Sequence, residues 1–341
     1  MANPLHRPIC DMLGCEYPVL QAGMGGVARS ELAAAVSQAG GFGCLGMVRE
    51  PVELIAREIT ETRNRTARPF GVNLIPSATD PALFAEQLET CRAGGIETLV
   101  YFWDVLPDAV VRAKEMGMRV IYQVGSVEQA RTAEAAGAAA IIAQGVEAGG
   151  HVHGGVSSLV LVQQVAEVVE IPVIASGGFA TGRSLAAAMA LGAQGIHCGT
   201  AFVAARESFA HDLHKDRIVA AAAEDTVHTD AFVINWPKGA AVRVLRTGVT
   251  DLLGDRLYGH DPDTILKHEI AEEEGRPIYL WSTDSPLRSM TGDLARLALF
   301  AGQCAGQVRD IRPAADIVRA IVDEAVTCIA EMGARQALQD V

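Results

Sequence analysis

Short apolar runs alternate with alanine-rich amphipathic stretches from about residue 17 to residue 202. Apolar runs bounded by glycine or proline read as buried strands, and apolar positions recurring at three- and four-residue spacing read as helices packed on them. The pattern predicts eight strands, at 19–22, 43–45, 71–74, 98–102, 120–124, 140–143, 172–176 and 195–198. The intervening helices run into glycines, as in QAGGFGCLG around Gly40, RAGGIETLV around Gly94, EMGMRVIYQ around Gly117, EAAGAAAIIA around Gly137 and ALGAQGIHCG around Gly192. A glycine just past a helix turns the chain into the next strand. Eight such units close a parallel (β/α)8 TIM barrel, an α/β fold. A doubly wound open sheet competes, but it would carry GxGxxG after its first strand, where this chain has QAGMGG, and the strongest glycine motifs here fall late.

The rhythm ends after Phe202. A barrel of residues 1–205 is therefore expected, followed by a polar insertion over its mouth at 206–287 that contains Trp236, Trp281 and the runs HDLHKD, EDTVH and EEEGRP. Helical periodicity over 289–303 and 317–332 predicts C-terminal helices, within 288–341, that pack back on the barrel.

Composition narrows the partners. The chain has 341 residues, half of them hydrophobic, and a net charge of −13, with no cluster of Lys and Arg to meet a phosphate backbone, so nucleic acid is excluded as a partner. No apolar run reaches the roughly 20 residues of a membrane span. The amino end, MANPLHRPICDML, does not read as a signal peptide, and a cytoplasmic protein is expected. The seven cysteines show no CxxC or zinc spacing and are expected to be free thiols. Cys198 lies beside a candidate loop, but an inert strand residue is the favoured reading.

Barrel chemistry sits at the carboxyl ends of the strands. Strand one delivers Gln21, Ala22, Gly23 and Met24, strand three Asn73, strand five Gln123, and strand six the run QGVEAGGHVHGG from Gln144. Strand seven delivers ASGGF, with Ser176, Gly177 and Gly178 ahead of a helix starting near Thr181, and strand eight delivers CGTAF, with Gly199 and Thr200. Backbone N–H groups of two adjacent glycine loops can hold a phosphate dianion without a basic residue. Small residues after strand one leave a flat space, and the amides of Asn73, Gln123 and Gln144 can meet the edges of a planar heterocycle. A phosphate plus a polar-edged ring describes flavin mononucleotide (FMN). A sugar phosphate would use the same loops but calls for charged acid–base groups that these strand ends lack. His151, between Gly150 and Val152, is the candidate proton acceptor, with Glu147 and His153 nearby. A metal site would need further ligands, and none is expected. His197, His211, His214 and His228 read as structural.

These residues resemble the nitronate monooxygenase family, formerly called 2-nitropropane dioxygenases, over nearly the whole chain. The most specific element is QGVEAGGH at 144–151, supported by QAGMGG at 21–26, FGVNL at 70–74, PVIASGGFATG at 172–182, LGAQGIHCGTAF at 191–202 and RVLRT at 243–247. The resemblance implies an FMN-bound barrel without metal, with Gly23, Met24, Asn73, Gln123, Gln144, Gly149, Gly150, Gly177, Gly178, Gly199 and Thr200 at cofactor positions and His151 as catalytic base. It implies oxidation of a nitronate by dioxygen to a carbonyl compound and nitrite, and is compatible with a homodimer. The same motifs occur in FMN-dependent enoyl-ACP reductases, NAD(P)H:quinone reductases and homologues acting on CoA thioesters. An NAD(P)H or acyl-thioester enzyme is therefore the alternative, with Arg183, Lys238, Arg243 and Arg246 as its candidate positive charges. Val152 and His153 after the motif depart from the usual small spacer and single glycine, and bear on the substrate, not the cofactor.

Overall fold

The computed structural model describes residues 4–337. Eight parallel strands form one sheet: β1 (Val19–Gln21), β2 (Gly43–Gly46), β3 (Phe70–Leu74), β4 (Thr98–Tyr101), β5 (Arg119–Val124), β6 (Ala140–Gln144), then β8 (Val173–Ser176) and β9 (Gly195–Cys198). The two-residue strand β7 (Gly150–His151) lies in the loop between β6 and β8 and belongs to another sheet. Neighbours pair in chain order, β9 returns to β1, and a parallel bridge from Leu20 to Phe42 closes β1 against β2. This is the expected (β/α)8 barrel.

Period-two alternation sorts the strand residues. Leu20, Cys44, Val100, Ile121, Ile142 and Ile174 point inward and form one cluster, and Ile9, Cys10 and Leu13 of the helix Pro8–Leu13 plug it from below. The alternate residues, among them Val72, Leu99, Tyr101, Val120, Tyr122, Ile141 and Val173, face the surrounding helices in a second cluster. Two residues beyond the inward layer the strands reach Ala22, Phe102, Gln123, Gln144 and Ser176, which open on the mouth. The parity that builds the core therefore delivers the amides to the site.

Beyond Phe202 two antiparallel sheets cover the mouth. β10 (Thr226–Thr229) and β11 (Val242–Leu245) pair with each other, and β11 pairs with β7, placing Val242 opposite His151 and Arg243 opposite Gly150. The second sheet joins β12 (Glu269–Glu273), β13 (Arg276–Tyr279) and β14 (Met290–Gly292).

The helix expected over 289–303 does not form. Met290–Gly292 is strand β14, Leu294–Arg296 is one 3-10 turn, and Phe300 bridges to Val244. Leu297, Ala298 and Leu299 are buried in succession while Thr291, Gly292, Asp293 and Ala295 are exposed, so burial does not follow helical spacing. One long helix, Ala314–Ala337, includes the stretch expected at 317–332 and packs on the helices Gly182–Ala190 and Ser30–Gln38. Gly182 makes that contact possible: a β-carbon there would stand 2.3 Å from the Ala325 nitrogen and 2.4 Å from the Ile321 carbonyl oxygen.

Candidate functional site

A cleft of about 1230 Å³ opens at the carboxyl ends of the strands. Ala22, Gly23, Met24, Asn73, Gln123, Gln144, Gly149, Gly150, His151, Ser176, Gly177, Gly178, Gly199 and Thr200 all line it, so the structure gathers the expected cofactor positions and His151 in one place.

The glycines do different work. Gly178 sits at φ +83°, and a β-carbon built on it would meet only Glu147 Cβ, at 3.7 Å. One on Gly199 would meet only Ala22 Cβ and Met24 Sδ, both at 3.8 Å. These two positions form an open cradle in which backbone approaches whatever occupies the cleft. Gly177 and Gly149 are instead packing glycines: added β-carbons would lie 2.7 Å from the Gly145 carbonyl oxygen and 2.3 Å from the Gly302 nitrogen. The helix after Gly178 begins as expected, with Thr181 Oγ1 accepting from Ser184 N at 3.2 Å. Its first N–H, however, is turned away: Gly182 N donates to Glu324 Oε2 at 2.8 Å. The Gly178 side of the cradle therefore rests on its loop, whereas Gly199 caps the four-residue helix Thr200–Val203.

The amides are poised. Asn73 Nδ2 donates to the Val100 carbonyl oxygen at 2.9 Å, and Gln144 Nε2 donates to the His151 carbonyl oxygen at 3.1 Å. Gln144 Oε1 is buried without a partner, and so is Nε2 of His197 on the cleft floor. Buried polar atoms are rarely left unsatisfied, so these two call for a ligand with polar edges. Burial holds His197 down at about 4, hence neutral. The sequence reading made it structural; the structure sets it facing the cleft.

His151 stacks on Trp236, ring centroids 3.7 Å apart and planes 25° apart, with Trp103 and Phe300 each 5.9 Å away. Its Nε2 is buried with no protein partner. Burial, and secondarily the charge of Arg49, lowers its pKa to about 3, so the imidazole is neutral. His153 points elsewhere, bonded to Asp104 Oδ1 at 2.9 Å and to Gln129 Nε2 at 3.2 Å, and does not line the cleft. Glu147 is a structural cap: its carboxylate accepts from Ser158 N and Oγ at 3.0 Å.

Arg243, a candidate charge for a second nucleotide, is buried and donates through Nη2 to the Val146 carbonyl oxygen at 2.9 Å. Neither it nor Arg183, Lys238 or Arg246 lines the cleft. The arginines that do are Arg29, Arg49, Arg57 and Arg276, which the sequence reading missed together with Trp236. Cys198 is fully buried and burial pushes its thiol up, so it is inert. All seven cysteines are free. Among the described residues no group of His, Cys, Asp and Glu is placed to hold a metal, and no helix is long and apolar enough to cross a membrane.

A family model for nitronate monooxygenase matches residues 6–324. The chain is 31% identical to a (3aS,4S,5R,7aS)-5-hydroxy-7a-methyl-1-oxo-octahydro-1H-indene-4-carboxyl-CoA dehydrogenase of Mycobacterium tuberculosis, covering 95% of this chain and 97% of that one. Among solved structures, FabK from Thermotoga maritima superposes with a TM-score of 0.81 at 32% identity, over 97% of this chain and 99% of that one. A nitroalkane oxidase from Streptomyces ansochromogenes superposes at 0.76 with 28% identity, over 95% and 99% of the two chains.

Proposed function

The chain belongs to the nitronate monooxygenase family and is an oxidoreductase, and from that premise we propose that it is an FMN-dependent enzyme oxidising alkyl nitronates with dioxygen to a carbonyl compound and nitrite. The observation that carries this reading is the neutral, unpartnered imidazole of His151 in the same cleft as the glycine cradle and the amides.

The residues fit the cofactor. Backbone at Gly178, Gly199 and Thr200 would hold the phosphate, Asn73, Gln123 and Gln144 would meet the ring edges, and the small residues Ala22 and Gly23 leave space beside the ring. When bound, FMN supplies the capacity to accept two electrons and pass them to dioxygen. The chain supplies the rest. The aromatic wall of Trp103, Trp236 and Phe300 keeps water from His151. Nε2, neutral when the substrate arrives, can anchor the nitronate or, where a neutral nitroalkane binds, take the proton α to its nitro group, and the anion so formed offsets the charge created on the ring. The segment 206–287, which contributes Trp236 and Arg276 to the cleft, would set substrate choice.

A thioester or NAD(P)H enzyme is the second reading. The cleft, at about 1230 Å³, is larger than the roughly 300–1,000 Å³ of an ordinary small-molecule pocket. The mycobacterial relative is named for a CoA thioester. Anaerobic mixing of the purified protein with propane-2-nitronate, NADH, NADPH and an acyl-CoA in turn separates the readings by the rate of flavin bleaching. Bleaching fastest with the nitronate supports the first; fastest bleaching by any of the others replaces it.

A further inference from the structure

Four arginines reach the cleft, and three are neutralised. Arg29 pairs with Glu50 at 3.4 Å, Arg57 with Glu58 at 3.7 Å, and Arg276 with Glu273 at 2.7 Å and Asp284 at 3.1 Å. Arg49 makes no ion pair among the described residues, although the more distant carboxylates of Asp284 and Glu50 act on its charge. Its guanidinium lies over the Trp236 ring, 5.1 Å from the centroid, and donates to the Asn235 carbonyl oxygen. Arg49 also holds φ +57°, a left-handed conformation that a non-glycine residue adopts only when its surroundings impose it.

Trp236 brings an unanswered donor. It is 7% exposed and lines the cleft, yet its Nε1–H is buried without an acceptor, as is Ser77 Oγ elsewhere in the lining. A partly buried cation and an orphan N–H beside one another are costly unless an acceptor completes them. Both converge on the indole that carries His151.

We propose that Arg49 and the Trp236 indole N–H form a receptor for a planar anion with two oxygens, so that the enzyme selects substrates presenting a nitronate or carboxylate oxygen pair beside His151. A guanidinium presents a fork of parallel donors matched to such a pair, and the indole N–H adds one more. The positive charge also favours keeping the imidazole neutral until the anion arrives. The inference rests on the reading of this cleft as the substrate site, and its test includes a readout that needs no cofactor.

The probes are isobutyrate, an unreactive two-oxygen analogue of propane-2-nitronate, and isobutyramide, its uncharged isostere. Isobutyrate should compete with the nitronate in turnover and quench tryptophan emission in protein stripped of flavin, binding at least about tenfold tighter than the amide. R49M should lower isobutyrate affinity about tenfold or more while leaving isobutyramide within about twofold and flavin content unchanged, and R49K should recover part of the loss. W236F, which keeps the ring face but removes the donor, should cost isobutyrate about threefold to tenfold. If R49M raises KM for propane-2-nitronate by the same factor as the isobutyrate Kd, the reacting group itself occupies the receptor. If only nitronates bearing a second carboxylate lose affinity, that carboxylate does. Equal affinity for isobutyrate and isobutyramide in the unsubstituted protein, or equal loss of both in R49M, overturns the proposal. A protein that fails to bind FMN but still discriminates the two probes refutes the cofactor reading alone.

Discussion

Gly23 and Asn73 are packed so closely that a β-carbon on Gly23 would lie 2.2 Å from Asn73 Cβ. Asn73 in turn donates to the Val100 carbonyl oxygen, so the first and third strands present their site residues as one unit. Gly23→Ala should therefore displace the Asn73 amide, destabilise the fold by about 1–3 kcal/mol and weaken FMN retention. Adding Asn73→Gly removes the clashing carbon at the cost of the bond to Val100 and of a glycine in the strand, so it should recover only part of the melting temperature and none of the cofactor retention. Thermal melts and flavin content after gel filtration read the two effects; an unchanged melting temperature in the single variant contradicts the packing argument.

The cradle predicts a yellow protein that releases FMN, not FAD, on denaturation. Gly178 at φ +83° is its most sensitive point. Gly178→Ala places a side chain in the left-handed region at about 1–2 kcal/mol and should only weaken retention, whereas Gly178→Asp sets a carboxylate beside the phosphate and should abolish it. Equal retention in the two variants would mean that the dianion lies elsewhere, and a colourless preparation unable to take up added FMN would end the flavin reading.

His151→Asn should keep FMN bound and lower turnover of a neutral nitroalkane by about 10² or more, the scale for losing a general base. Supplied as the preformed nitronate, the substrate has no proton left to lose, and the deficit should shrink severalfold. His153→Asn, whose imidazole is occupied by Asp104 and Gln129 outside the cleft, should leave both rates nearly unchanged. Equal deficits for nitroalkane and nitronate in the His151 variant would leave that residue an anchoring role only.

Burial holds His151, His197 and His214 at about 3, 4 and 4, against about 6.5 in an unfolded chain. Between those values the unfolded chain binds protons that the folded one refuses, so the stability they contribute is complete above pH 6.5 and drains away as pH falls. The ceiling is about 1.4 kcal/mol per histidine per pH unit. Urea midpoints measured at pH 7 and pH 5, a window above most carboxylate titration, should fall toward the lower pH. His197→Asn should flatten the slope. A midpoint that is level or rises toward pH 5 would show that these rings are not held neutral.

The barrel was legible because a parallel strand covered on both sides writes itself as an apolar run, and because Gly137 and Gly192 mark helix ends with a left-handed turn, at φ +93° in both. Asn73, Gln123 and Gln144 were legible for the same reason, as polar residues at the ends of such runs. Arg49 and Trp236 were not. They lie 187 positions apart in loops, and no local pattern announces a cation–π contact formed by tertiary folding. Arg243 failed in the opposite sense: its charge suggested a nucleotide, but its guanidinium is spent on the Val146 carbonyl oxygen. The span 289–303 misled because its apolar residues are equally consistent with a short edge strand followed by an extended stretch buried at 297–299.

Strand β7 meets β11 through only two register pairs, His151 with Val242 and Gly150 with Arg243, and the adjoining Val152 N–H donates to the Ala241 carbonyl oxygen at 3.0 Å. So short a ladder makes the face that β11 presents to the imidazole depend on the residue count upstream of β11. One residue gained or lost between Trp236 and Val242, if taken up as a slip of this pairing, would bring the opposite face of β11 against His151 without touching a single barrel residue. An insertion or deletion in a surface loop would thus change what His151 faces while the barrel strands stay where they are.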